Sequence, residues 1–85
     1  IAQKTVRERL AEVLLFLVSD FGIDDQQYLK ISLTREELAN IVGTATESVI
    51  RLLSEFKSDK LVELNGRRIR IMNMKGLEKI SNVFN

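Results

Sequence analysis

Cysteine and histidine are both absent from the 85 residues of this chain. Thiolate nucleophiles, imidazole bases, disulfides and the commonest metal ligands are therefore excluded at the outset. What remains is carboxylate, hydroxyl and cation chemistry. The carboxylates and the Ser and Thr hydroxyls are scattered, with no convergent acid/base pair and no activated nucleophile, so no enzyme is expected. The cations are better organised. Residues 30–75 hold nine basic groups against six acidic ones, while residues 1–29 hold three against five, so a formal net charge of +1 conceals a basic stretch. A total this close to neutral says nothing for a polyanionic partner; only the distribution does. Inside the basic stretch Glu47 and Arg51 stand four residues apart, which on a helix puts an acceptor and a forked donor on one face. Each also has a plainer use: Glu47 as the partner of Thr44 in a capping box, Arg51 as an ion-pair partner of Glu47.

The elements that must hold these residues follow from apolar spacing. Thr5-x-x-Glu8 is a capping-box start, and Val6, Leu10, Val13, Leu14, Leu17, Val18 and Phe21 recur at helical spacing up to a stop at Gly22. Ile23 to Gln27 forms a polar loop. Tyr28-Leu29-Lys30-Ile31-Ser32 alternates as a short strand with one buried face. Thr34-x-x-Glu37 opens a second helix with Leu38, Ala39, Ile41 and Val42 on its apolar face, ended by Gly43. Thr44-x-x-Glu47 reads as a third capping box, opening a helix with Val49, Leu52, Leu53 and Phe56 inward. Two helices joined by so short a link must cross steeply, which is helix-turn-helix geometry.

Beyond Lys60 the period changes to two: Leu61 to Leu64, then Asn65-Gly66, then Arg67 to Met72. Asn-Gly between alternating runs predicts a hairpin closed by a type I′ turn with those two residues at its centre. Leu77, Ile80, Val83 and Phe84 predict a last short helix, in which Gly76 reads as a weak point. The expected fold is α+β, a winged helix-turn-helix made of an N-terminal helix, a short strand, the helix pair, a hairpin wing and a short C-terminal helix.

Length allows one domain, residues 1–85, with a single modest core. A 45% hydrophobic and 29% charged composition is that of a chain that folds. No apolar run approaches the ~20 residues needed to span a bilayer, so no membrane association is expected. The start at Ile1 resembles neither a signal peptide nor an initiating Met, and the chain reads as a cytoplasmic fragment. Leu14, Leu15, Phe16, Leu17 and Val18 are more apolar than one buried face needs, an excess expected to pack on another module or a second copy.

In this order the elements resemble the C-terminal domain of the Crp/Fnr family of bacterial transcription regulators. The resemblance runs from about Val6 to Ile71 and is most specific in Leu33 to Gly43 and Thr44 to Leu53. Ala39 suits close helix approach, Gly43 the turn, and Val49 the angle between the helices. The resemblance implies sequence-specific binding of double-stranded DNA, with a recognition helix over about 45–57 in the major groove. Glu47 and Arg51 would read base edges, a carboxylate accepting from cytosine N4 and a guanidinium donating to guanine O6 and N7. Thr46 and Ile50 would flank them, Thr46 standing where the best-known members carry Arg. Ile50 can offer only apolar contact, as to a thymine methyl.

Phosphate contacts would come from Thr34, Arg35, Ser48, Gly66 and Arg67, with Arg7, Lys57 and Arg68 in second rank as ordinary solvated charges. Glu36 stands where the best-known members carry a neutral Gln, and a carboxylate so placed would repel phosphate. It is left out of the site. The resemblance further implies an inverted-repeat operator with a TGA-type core, a homodimer in the full-length protein, and RNA polymerase as a candidate partner. The effector-sensing domain and dimerising helix of the family lie outside this chain, which needs no cofactor of its own; the effector is not legible from these residues. The alternative is a winged-helix domain that contacts protein and binds no DNA.

Overall fold

The computed structural model describes residues 3–81. In chain order it contains α1 (Val6–Phe21), α2 (Arg35–Val42), α3 (Thr46–Ser58), β1 (Val62–Asn65), β2 (Arg68–Ile71) and α4 (Met74–Ser81). Both expected capping boxes at Thr5 and Thr34 are present. Each Thr hydroxyl accepts from the N–H three residues on, and Glu8 and Glu37 return the bond to the Thr N–H. Gly22 ends α1 and Gly43 ends α2, the latter in the left-handed conformation at φ 84° and ψ 45°, which a side chain would resist.

The core is continuous across all four helices and the hairpin. Leu10, Ala11, Leu14 and Leu17 of α1 meet Leu38, Ala39 and Val42 of α2 and Val49, Leu52, Leu53 and Phe56 of α3, with Leu61, Val62, Ile69, Ile71 and Leu77 closing the other side. Phe56 is fully buried. Of the apolar run in α1, Leu14 and Leu17 are buried, Leu15 and Val18 lie half-buried against the core, and Phe16 stands exposed.

Four expectations are corrected. Thr44 does not cap α3: its N–H and that of Gly43 both donate to the Ala39 carbonyl, so Thr44 is spent closing α2. The N-cap of α3 is Ala45, with no side-chain hydrogen bond, and α3 begins at Thr46. Tyr28 to Ser32 forms no strand but two isolated antiparallel bridges, Ile23 with Leu29 and Tyr28 with Arg70. The positive φ of Gln27, at 71°, folds the loop back too tightly for a longer ladder.

The hairpin pairs Asn65 with Arg68, so Gly66 and Arg67, not Asn65 and Gly66, are the central turn residues. Gly66 has φ 60° and no neighbour in the turn shares a positive φ, the pattern of a type II′ turn with Gly first. Gly76, finally, is a point of close approach. A Cβ there would lie 2.5 Å from Leu61 Cδ2 and 2.8 Å from Asn73 Nδ2, so a larger residue would require those two side chains to shift where α4 meets the base of the hairpin. Val83 and Phe84 lie outside the described residues.

Candidate nucleic-acid interface

Three residues, Gly43, Thr44 and Ala45, separate α2 from α3, the turn length of a helix-turn-helix. Ala39 is 1% exposed at the crossing and Val49 is fully buried in the angle, as their sizes require. A third residue secures this corner. Arg9 of α1 donates through Nε to the Val42 carbonyl at 3.1 Å, through Nη2 to Gly43 at 3.4 Å and through Nη1 to Lys4 at 3.0 Å. It satisfies carbonyls that the end of α2 leaves orphaned. Its partners on α2 and the turn lie 33 and 34 residues away, so no local pattern could have marked it.

α3 buries Val49, Leu52, Leu53 and Phe56 and turns Glu47, Ile50 and Arg51 to solvent, with Thr46 and Ser48 half-buried at its start. The four residues expected to read bases, Thr46, Glu47, Ile50 and Arg51, therefore lie together along the first turn and a half. Ile50 is 51% exposed. Arg51 does not pair with Glu47; its Nη1 meets Glu55 Oε2 at 2.8 Å, one turn further on. Glu55 also meets Arg7 of α1 at 3.3 Å, and Arg7 reaches Asp59 at 3.2 Å and lies over the Phe56 ring at 5.0 Å. Arg7 is thereby a tie between α1 and α3, and not the ordinary solvated charge of its plainer reading. The i,i+4 spacing of Arg51 and Glu55 could have marked their pair in the sequence, whereas the Arg7 contact comes from another helix.

The residues expected at phosphates divide. Thr34 is engaged in its capping box, which also holds the Glu37 carboxyl below the usual carboxylate range, chiefly through the Thr34 N–H. Ser48 sits near the start of α3, which has no side-chain cap, and its N–H donates to the Ala45 carbonyl at 3.1 Å. Gly66 and Arg67 form the exposed hairpin tip. Arg35 lies between the two regions and donates to the wing tip itself, to the carbonyls of Gly66 at 2.9 Å and Arg67 at 3.3 Å. Arg68 is occupied with Asp24 Oδ2 at 2.9 Å and with the Tyr28 ring at 4.1 Å. Arg70 donates to the Gln26 carbonyl at 2.8 Å and pairs with Glu63 at 3.1 Å. Lys57 stays exposed at the far end of α3.

Compared with known proteins, residues 8–80 match the model of the Crp-like helix-turn-helix domain. The chain belongs to this family. The transcriptional activator protein FnrA of Stutzerimonas stutzeri is 32% identical to this Crp-like domain over 80 residues, which is 91% of the chain and 32% of the relative. The global nitrogen regulator of Synechococcus elongatus is 31% identical over 75 residues, 86% of the chain and 34% of the relative. Among solved structures, the CO-dependent transcription factor CooA of Carboxydothermus hydrogenoformans superposes with a TM-score of 0.79 at 33% identity, over 88% of this chain and 36% of that one. A CRP-family transcriptional regulator of Thermus thermophilus gives 0.81 at 28% identity, over 94% and 42%.

The chain spans about a third of the length of the curated relatives it matches. It is a DNA-binding winged helix-turn-helix domain of a Crp/Fnr-like regulator, in a family of transcription regulators and not of enzymes. Among the described residues no helix is long and apolar enough to cross a membrane.

Proposed function

We propose that this Crp-like domain reads double-stranded DNA by sequence, with α3 in the major groove and Glu47 and Arg51 on base edges. Thr46 and Ile50 border the same few base pairs. Thr34, Arg35, Ser48, Gly66 and Arg67 set the register through phosphates, which carry no sequence information. The observation that carries this reading is the division of α3: its buried side is filled by Val49, Leu52, Leu53 and Phe56, while Glu47, Ile50 and Arg51 remain exposed at its leading end. A carboxylate acceptor and a guanidinium fork so placed match the amino group of cytosine and the O6/N7 edge of guanine. The half-site is expected to have a TGA-type core, repeated in inverse for a dimer. Homodimerisation and contact with RNA polymerase belong to the whole regulator in this proposal. Joining two half-sites makes the second contact effectively intramolecular, so a lone domain binds weakly.

Fluorescence anisotropy with a duplex bearing inverted TGA-type half-sites, at two salt concentrations, tests it. Wild type is expected to prefer that duplex over a scrambled one. Glu47→Ala and Arg51→Ala should each cost roughly 1–3 kcal/mol and abolish the preference. Equal binding of both duplexes by wild type, or indifference to both substitutions, would leave α3 as a surface for something other than base edges.

A further inference from the structure

A two-stranded hairpin with four residues in each strand is marginal by itself in water, so something must hold this one against the helices. Its base is held by backbone. Leu29 N–H donates to the Ile69 carbonyl at 2.9 Å and Ile71 N–H to Gln27 at 2.8 Å, while Tyr28 lies beneath Arg68. None of these reaches the tip, where Asn65, Gly66 and Arg67 are exposed. There the strongest tie is a single guanidinium from the start of α2, 31 and 32 residues earlier: Arg35 donates through Nη2 to Gly66 and through Nη1 to Arg67.

We propose that Arg35 is a positioning residue that braces the wing tip against α2, so that wing and recognition helix meet the duplex as one surface. The inference rests on the DNA reading above and adds to it. Arg35 was expected only as a phosphate cation; the geometry gives it a second task through the two central residues of the turn. A planar guanidinium suits two consecutive carbonyls because its donors form a fixed fork, which a lysine ammonium cannot imitate. Partial burial holds the Arg35 pKa below the ordinary arginine value. The remaining N–H groups of Arg35 can still meet a phosphate oxygen. Arg67 adds a weaker tie from the other side, its Nη2 lying 3.5 Å from the Ser32 carbonyl and 4.0 Å from Glu37. The wing tip thus docks on the capped start of α2, the first helix of the pair.

The test uses Arg35→Lys, which keeps the charge and loses the fork, with Arg35→Met as a second variant that keeps only the aliphatic stem. Backbone ¹⁵N relaxation without DNA reads the brace directly. In both variants the order parameters of Gly66 and Arg67 are expected to fall from about 0.85 toward about 0.6, with Ile69 and Ile71 unchanged. Anisotropy then compares a duplex that continues beneath the wing with one that ends before it. Arg35→Lys is expected to weaken binding to the longer duplex roughly tenfold more than binding to the shorter one, the order of a charge-assisted hydrogen bond, any loss on the shorter duplex reporting the phosphate contact of the same side chain. Unaltered relaxation at Gly66 and Arg67 in both variants overturns the brace. An equal loss on both duplexes overturns its role in positioning and makes Arg35 a plain phosphate cation. If wild type binds neither duplex, the DNA reading fails and the positioning role with it, while the relaxation data still decide whether the brace exists.

Discussion

The recognition helix and the wing reach the same side of a helix-turn-helix by different physics. α3 is seated by burial: Val49, Leu52, Leu53 and Phe56 are at most 3% exposed, and its outward side chains take little part in holding it. The wing also buries Val62, Ile69 and Ile71, but polar bonds add to its seating. Asp24, Arg35, Arg68 and Arg70 are all engaged in keeping it in place. Cations on a wing invite assignment to phosphate, yet here Arg68 and Arg70 are paired with Asp24 and Glu63 before any ligand arrives. A basic count therefore overstates the charge this face offers, and a guanidinium can serve binding by fixing a loop as well as by touching DNA.

The contrast predicts where the molecule is fragile. The largest effect is expected from Phe56→Ala, which empties the seat of α3; denaturant unfolding should show a loss of about 3–5 kcal/mol. A loss below about 1 kcal/mol would mean that α3 does not depend on its buried face. A smaller change of opposite sign is expected at the start of the same helix. Ala45 is an N-cap with no side-chain bond, so Ala45→Ser should stabilise the domain by about 0.5–1 kcal/mol. No gain would show that an adequate partner for those N–H groups already exists.

The smallest effect concerns the wing anchor. The Tyr28 N–H, then those of Gln26 and the Arg68 cation, hold the Asp24 carboxyl below the usual carboxylate range. A carboxyl whose folded pKa is depressed contributes stability that is complete above its unfolded pKa, near 4, and lost as pH falls through the folded value. Asp24→Asn should accordingly be slightly less stable than wild type at pH 6. That difference should begin to shrink as pH falls below about 4, where the unfolded carboxyl takes up a proton, and should close only once pH has passed below the depressed folded value. The pair with Arg68 is exposed, so the change is modest. A pH-independent difference between the two unfolding curves would assign the effect to the hydrogen bonds and not to charge.

Much of this was legible in the sequence. The Thr5 and Thr34 capping boxes, the stops at Gly22 and Gly43, the inward faces of three helices apart from Phe21 and Ile41, which stand exposed, and the existence of a hairpin all depend on residues within a few positions of one another, and the structure has them as expected. That Glu47 and Arg51 share one exposed face followed from helical period, while Thr46 and Ile50 came from the resemblance. Where two local rules competed, the sequence was undecided and the nearer contact won. Thr44 could cap α3 or close α2, and the Ala39 carbonyl was in reach. Asn65-Gly66 could centre a type I′ turn or stand one position earlier in a type II′ turn; either register sets a core isoleucine opposite Val62, and the structure has the second, pairing Val62 with Ile71 and Leu64 with Ile69.

What only the tertiary structure decided is the set of pairings across tens of residues: Arg9 on the end of α2, Arg7 on Glu55, Arg68 on Asp24, and Arg35 on the wing tip. Gly76 belongs with them, since its lack of a side chain matters only because Leu61 arrives beside it. Helical period and capping are properties of neighbours along the chain, so composition and spacing reveal them. A long side chain with several donors has no preferred partner until packing has brought the acceptors within about 3 Å of it, and for that reason the roles of the arginines could be read only from the folded chain.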